Sequence, residues 1–167
     1  MARASLRDYQ LALSERLQGA VAGTRVPTKL GLRAGGEAWL VDLKEAGEVI
    51  PVPPISPVPL ARPWFRGVAN VRGNLYSVSD LAGLLGQEPT TLSDHARLLL
   101  VADRFRAGAA FLVESSLGLR NAEDLKTRAG EAQRWVRAHY EDADGTLWKE
   151  LDVAALLQDD AFLEVSV

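Results

Sequence analysis

Arg62-Pro-Trp-Phe-Arg-Gly-Val-Ala-Asn-Val-Arg-Gly-Asn-Leu-Tyr-Ser-Val-Ser-Asp-Leu81 is the stretch around which the chain is organised. It reads as two short strands, roughly Val68 to Val71 and Leu75 to Val78, joined at Gly73-Asn74. Glycine at the first turn position allows the positive φ of a tight type II′ hairpin. Asp80 precedes an apolar run, Leu81-Ala-Gly-Leu-Leu85, where its carboxylate would cap a short helix. Arg72 stands at the bend. The stretch holds no nucleophile, metal-ligand set or phosphate cradle, so it points to contact rather than chemistry.

Working outward, residues 1–24 carry Leu6, Tyr9, Leu13, Leu17 and Ala20 at steps of three and four. That spacing predicts a helix with one apolar face, capped by Ser5 and ended by Gly19, Gly23 and Pro27. Lys29 to Arg33 and Glu37 to Asp42 read as a hairpin around Ala34-Gly35-Gly36. Five prolines between Pro51 and Pro59 enforce an extended path, read as a rigid crossover rather than a docking peptide. Further strands are expected over Arg97 to Ala102, Phe105 to Val113, Leu117 to Arg120, Ala132 to Tyr140 and Thr146 to Leu151. Asp152 precedes a second capped helix, Val153-Ala-Ala-Leu-Leu157.

An internal repeat emerges from these elements. Gly73 to Leu85 resembles Gly145 to Leu157, and Ala38-Trp-Leu-Val-Asp42 resembles Ala110-Phe-Leu-Val-Glu114, both at an offset of 72. Two matches at one offset imply one β unit used twice. Units of about 70 residues with several short strands suit small barrels, which leave no long free edge.

Composition bounds the function. The chain has 167 residues, a net charge of −3, 47% hydrophobic and 25% charged residues, as expected of one globular domain or two small units sharing a core. A net negative charge argues against a general nucleic-acid binder. There are no cysteines, which removes disulfides, thiolate metal sites and a cysteine nucleophile. No apolar run approaches the roughly 20 residues of a membrane span, and no secretory h-region is evident, so a cytoplasmic location without membrane insertion is expected. His95 and His139 are far apart and lack a partner pattern; no phosphate- or dinucleotide-binding loop is present. A binding module without cofactor or metal is the expected class, not an enzyme.

Phe65-Arg-Gly-Val-Ala-Asn-Val-Arg-Gly73, followed by Val78-Ser-Asp80-Leu81, resembles the G-V-x-N-x-R-G hairpin and V-x-D-L segment of the CheW-like coupling proteins of bacterial chemotaxis. Val41 to Ile50 is similar to the family's segment between its second and third strands. The wording Arg62-Pro-Trp-Phe and Gly73-Asn-Leu-Tyr resembles the PilI-like branch that serves type IV pilus twitching motility. The resemblance implies a mainly β fold: two packed SH3-like five-stranded β-barrels with an N-terminal helix and short capping helices. It implies residues 1–25 as a helical extension and 26–167 as a CheW-like domain of two pseudo-repeated subdomains. It further implies an adaptor joining the regulatory domain of a CheA-type histidine kinase, docked on the first barrel, to a methyl-accepting chemotaxis receptor in the groove between barrels. Arg72 matches the family's functional arginine and Glu48 an acidic position able to pair with it; Asn70, Gly73 and Val49 complete the implied protein-binding face. Were the pair partly buried, loss of one partner would leave a costly unpaired charge. Ser77 departs from the proline common before the valine, and 121–134 has no clear match. The competing reading is a structural β module that docks partners through its N-terminal helix or proline segment.

Overall fold

The computed structural model describes residues 28–166; the helix expected over residues 1–24 lies outside them. Within them the fold is mainly β, with two six-stranded sheets and few, short helices. The first sheet has the order β10 (Leu125–Arg128), β11 (Val136–Asp142), β12 (Leu147–Leu151), β2 (Glu37–Asp42), β1 (Thr28–Ala34), β9 (Ser115–Asn121). The second has the order β4 (Ile55–Ser56), β5 (Phe65–Val71), β6 (Asn74–Asp80), β8 (Ala109–Val113), β7 (Arg97–Val101), β3 (Ala46–Pro51). Helices α1 (Leu81–Leu84), α2 (Val153–Gln158) and α3 (Asp160–Leu163) follow the closing strands.

The two orders correspond strand for strand, and the correspondence explains the offset of 72. Strands β3 to β6 match β9 to β12, and the hairpin β1–β2 matches β7–β8. Each sheet takes its central hairpin from the other half of the chain. Strand β12 pairs in parallel with β2, and β6 in parallel with β8. The parallel registers differ by two residues between the halves: Glu150 faces Leu40, whereas Asp80 faces Leu112. A two-residue shift keeps every side chain on its own face.

This exchange buries the hairpin strands on both sides, which is why β7 and β8 read as continuous apolar runs rather than alternating ones. From β8, Ala109, Phe111 and Val113 enter a core shared by the sheets, while Ala110 and Leu112 enter the second sheet's own core. From β2, Trp39 and Val41 join the shared core, and Ala38 and Leu40 join Trp148 and Leu125 in the first sheet's core. The shared core also takes Leu81 of α1, Val153 and Leu156 of α2, and Phe162 of α3. Trp64 is half-buried and stacks on Phe162 with ring centroids 6.1 Å apart.

The sheets have six strands rather than the five expected. The proline crossover contributes β4, paired with β5, and the polar stretch after Asn121 contributes β10, paired with β11. No ladder joins the two edge strands of either sheet among the described residues, so neither sheet closes by backbone hydrogen bonds.

The helix starts also differ in detail. Asp152 caps α2 by accepting from the Ala155 amide at 3.0 Å. Asp80 stands at the equivalent position but makes no side-chain cap. Its buried carboxylate instead accepts from the Thr90 amide at 2.7 Å and hydroxyl at 2.6 Å, which ties down the loop after α1.

Candidate functional site: the β5–β6 hairpin tip and the edge strand β3

The central hairpin turns one residue earlier than its sequence predicts. Val71 pairs with Asn74, so the two-residue loop is Arg72-Gly73. Both loop residues have positive φ, 51° and 87°, which makes the turn type I′ rather than II′. Glycine tolerates this conformation, whereas an arginine there is uncommon. Asn70 offsets part of that cost: its Oδ1 accepts from the Gly73 amide at 2.9 Å and pins the turn. An arginine kept where asparagine or glycine fits more easily points to a use for its side chain.

That side chain reaches Glu48. The Arg72 guanidinium meets both oxygens of the Glu48 carboxylate, with Nη1 to Oε1 at 3.2 Å and a closer contact from Nη2 to Oε2. Glu48 projects from β3 directly after a bulge at Gly47 within that strand; a Cβ at Gly47 would lie 3.0 Å from the Leu100 carbonyl oxygen. In the sheet order the turn and β3 are separated by β8 and β7, roughly 14 Å at the usual strand spacing. The pair therefore reports a sheet curled enough to bring its hairpin tip over its far edge.

The hydrogen bonds from Arg72 hold the Glu48 carboxyl below the ordinary glutamate value of 4.5, against a smaller desolvation effect. The same hydrogen bonds push the Arg72 guanidinium up. The side chains are 67% and 44% exposed. The partial burial considered from sequence is thus not found, and water screens the pair. It orients a cation at an exposed tip more than it holds the fold together.

Four of the expected residues, Arg72, Glu48, Asn70 and Gly73, gather at this tip. Val49 does not: it alternates to the other face of β3 and packs against the shared core. Leu75, one residue into β6, is 69% exposed beside the tip and was not singled out from sequence. Strand alternation from Tyr76, which packs inward, would have found it.

A second set of residues was also missed. Trp64-Phe65-Arg66 and Trp135-Val136-Arg137 stand 71 residues apart. The Asp80 amide donates to the Trp64 carbonyl and the Asp152 amide to the Trp135 carbonyl, both at 2.7 Å. Arg66 lies 3.5 Å from Asp80. Arg137 bridges Glu45 at 2.8 Å and Asp152 at 3.1 Å. Burial pulls the Arg137 guanidinium down, but hydrogen bonds to Glu45 and Asp152 outweigh it and push it up. The indole of Trp148 donates to Asp142 at 3.0 Å, the main cause that lowers that carboxyl. These pairs fix the joins between sheets and helices. Among the described residues no group of three or more His, Cys, Asp or Glu side chains gathers to hold a metal ion. No helix among them is long and apolar enough to cross a membrane.

Residues 29–161 match the CheW-like domain, nearly all of the described chain. The chain belongs to the CheW-like family. Within that family it is 30% identical over 144 residues to Protein PilI of Pseudomonas aeruginosa (strain PAO1), a match covering 83% of this chain and 79% of that protein. The scaffolding protein TtCheW from Thermoanaerobacter tengcongensis has a crystal structure that superposes with a TM-score of 0.63 at 14% identity, covering 75% of this chain and 88% of that one. At that identity the likeness is one of fold. The CheW-like fold thus accounts for the mainly β architecture.

Proposed function

We propose that this CheW-like chain is a non-catalytic cytoplasmic adaptor that couples methyl-accepting chemoreceptors to a CheA-type histidine kinase. The observation that carries the reading is Arg72, held in a left-handed conformation at an exposed hairpin tip and forked onto Glu48. An exposed, pre-oriented cation flanked by the exposed Leu75 is a compact contact point for another protein. Family membership supports a scaffolding role, and similarity to PilI supports a pathway that controls type IV pilus twitching. Each curled sheet is read as an SH3-like barrel whose missing ladder is bridged by side chains. Residues 26–167 then form the CheW-like domain of two exchanged subdomains, the first offering Arg72, Glu48, Asn70 and Gly73 to the kinase regulatory domain. Val49 would act from beneath, setting the position of β3.

Co-sedimentation tests the reading. A receptor signalling fragment on vesicles should carry a CheA-type kinase into the pellet only when this chain is present. Equal kinase recovery with and without the folded chain refutes it.

A further inference from the structure

An apolar groove lies beside α2 and α3, on the β5–β6 side of the second sheet and away from the edge strand that carries Glu48. It has a volume of about 520 Å³ and is lined by Phe65, Phe105, Leu157, Phe162, Leu163 and Val165. Leu163 is 60% exposed there, unusual for a leucine beside three phenylalanines. The corresponding groove in the other half of the molecule, about 330 Å³, is walled by Glu37, Lys149, Arg134 and two glutamines as well as tryptophans. The repeat thus provides one polar groove and one apolar groove, and the apolar one has no cover among the described residues.

We propose that the N-terminal segment of this same chain, residues 6–20, docks as a helix in the apolar groove. Three observations converge on it. The first is chemical: Leu6, Tyr9, Leu13, Leu17 and Ala20 form a single apolar stripe that must be buried somewhere for such a helix to persist. The second is charge. Residues 6–20 are balanced, with Arg7 and Arg16 against Asp8 and Glu15, so the surplus lies in Arg3 and Arg25 on either side, whereas residues 152–166, which form one wall, carry four acids and no lysine or arginine. Three of these acids already face partners, Asp152 with Arg137, Asp159 with Arg134 and Glu164 with Arg62, and Asp160, which pairs with no lysine or arginine among the described residues, is the acid left for a flanking arginine.

The third is reach. The described chain begins at Thr28, next to Lys29, which pairs with Asp42. The Glu45 amide donates to the Asp42 carbonyl at 2.9 Å, and the Glu45 carboxylate accepts from the Ala154 amide at 3.0 Å. Ala154 lines the groove. Residues 21–27, seven in number, span at most about 25 Å when extended, enough to cross these few neighbouring residues. A 15-residue helix is about 22 Å long, enough to cover the groove and its rim. Because the segment is tethered, even weak apolar contacts act at a high effective concentration.

The absence of cysteine makes the test direct. The full chain with Leu13→Cys and Leu163→Cys is treated with a short bismaleimide and compared with a control bearing Leu13→Cys and Leu119→Cys, since Leu119 is 64% exposed on the edge strand β9. The expected result is an intramolecular cross-link that forms at least about tenfold faster than in the control, independent of protein concentration. It should be lost when Leu6→Asp and Leu17→Asp break the stripe. Equal rates in the two pairs, or a cross-link indifferent to the broken stripe, overturn the proposal. A cross-link that appears only between chains overturns it in favour of a second copy in the groove. Amide exchange on the cysteine-free chain is the independent measurement: Leu13→Asp should accelerate exchange in residues 154–165 and leave β10, which is outside the groove, unchanged, and no change in 154–165 contradicts docking.

Discussion

Arg66 and Arg137 occupy equivalent places in the two halves, yet their surroundings predict unequal consequences when their charges are removed. Arg137→Met keeps the apolar stem and deletes the guanidinium. It strips the partner from Glu45, which is only 3% exposed, and from Asp152. An unpaired buried charge costs about 3–5 kcal/mol. Two features lower that figure here. Arg137 is itself 38% exposed, so water reaches the site, and Glu45 keeps the Ala154 amide as a donor. A discounted loss of about 2 kcal/mol follows, or a fall in Tm of about 4–8 °C for a chain of this size. Arg66→Met strips a 3.5 Å contact from Asp80 and a 3.4 Å hydrogen bond that Arg66 donates to the Thr90 carbonyl, but the Asp80 carboxylate retains two hydrogen bonds from Thr90. Its loss should be about 1 kcal/mol or less, because those bonds still satisfy the buried oxygens. Urea unfolding followed by circular dichroism measures both. A further variant isolates the cause: Glu45→Gln in the Arg137→Met chain removes the stranded charge and should recover most of the stability. Equal losses for the two arginines, or no recovery with Glu45→Gln, refute the reasoning.

Three other outcomes follow from single sites. Gly67→Ala should destabilise by about 3 kcal/mol or more, because a Cβ would sit 2.0 Å from the Ser56 carbonyl oxygen at a φ of 131°; urea unfolding reads it. The Glu48 carboxyl should titrate by NMR below 4.5 in the native chain and return to about 4.5 in Arg72→Ala. Since its folded value is depressed, its contribution is present above the ordinary carboxylate range and is lost as pH falls through the lowered value, so the pair is intact at neutral pH and breaks in acid. Trp148→Phe removes the indole donor and should move the Asp142 carboxyl up toward 3.8.

The sequence carried the repeat, the β1–β2 hairpin and the mainly β class because each rests on local pattern: an offset of 72, the Gly35-Gly36 turn, short apolar strands. It did not carry the exchange of hairpins between halves. Pairing of β12 with β2 joins residues more than a hundred positions apart, and nothing in local periodicity selects that partner over β8. The sequence pattern places the turn one residue late, at Gly73-Asn74, because propensity disfavours an arginine at positive φ, so Arg72 itself disguises the loop. The partners Glu48 and Arg72 came from the family resemblance, whereas their exposure required the curl of the second sheet. Asp80 looks identical to Asp152 as a cap, yet Thr90, ten residues on, claims its carboxylate.

The central claim is that Arg72 at the hairpin tip is a partner contact and not a structural prop. A binding titration of a CheA-type kinase regulatory domain with the native chain and with Arg72→Ala tests it most directly, with circular dichroism on the same samples. The native chain should bind, and Arg72→Ala should bind at least about tenfold more weakly while its β spectrum is unchanged, as loss of a pre-oriented interface arginine implies. Indistinguishable titrations from the two folded proteins, or no binding by the native chain, would contradict it.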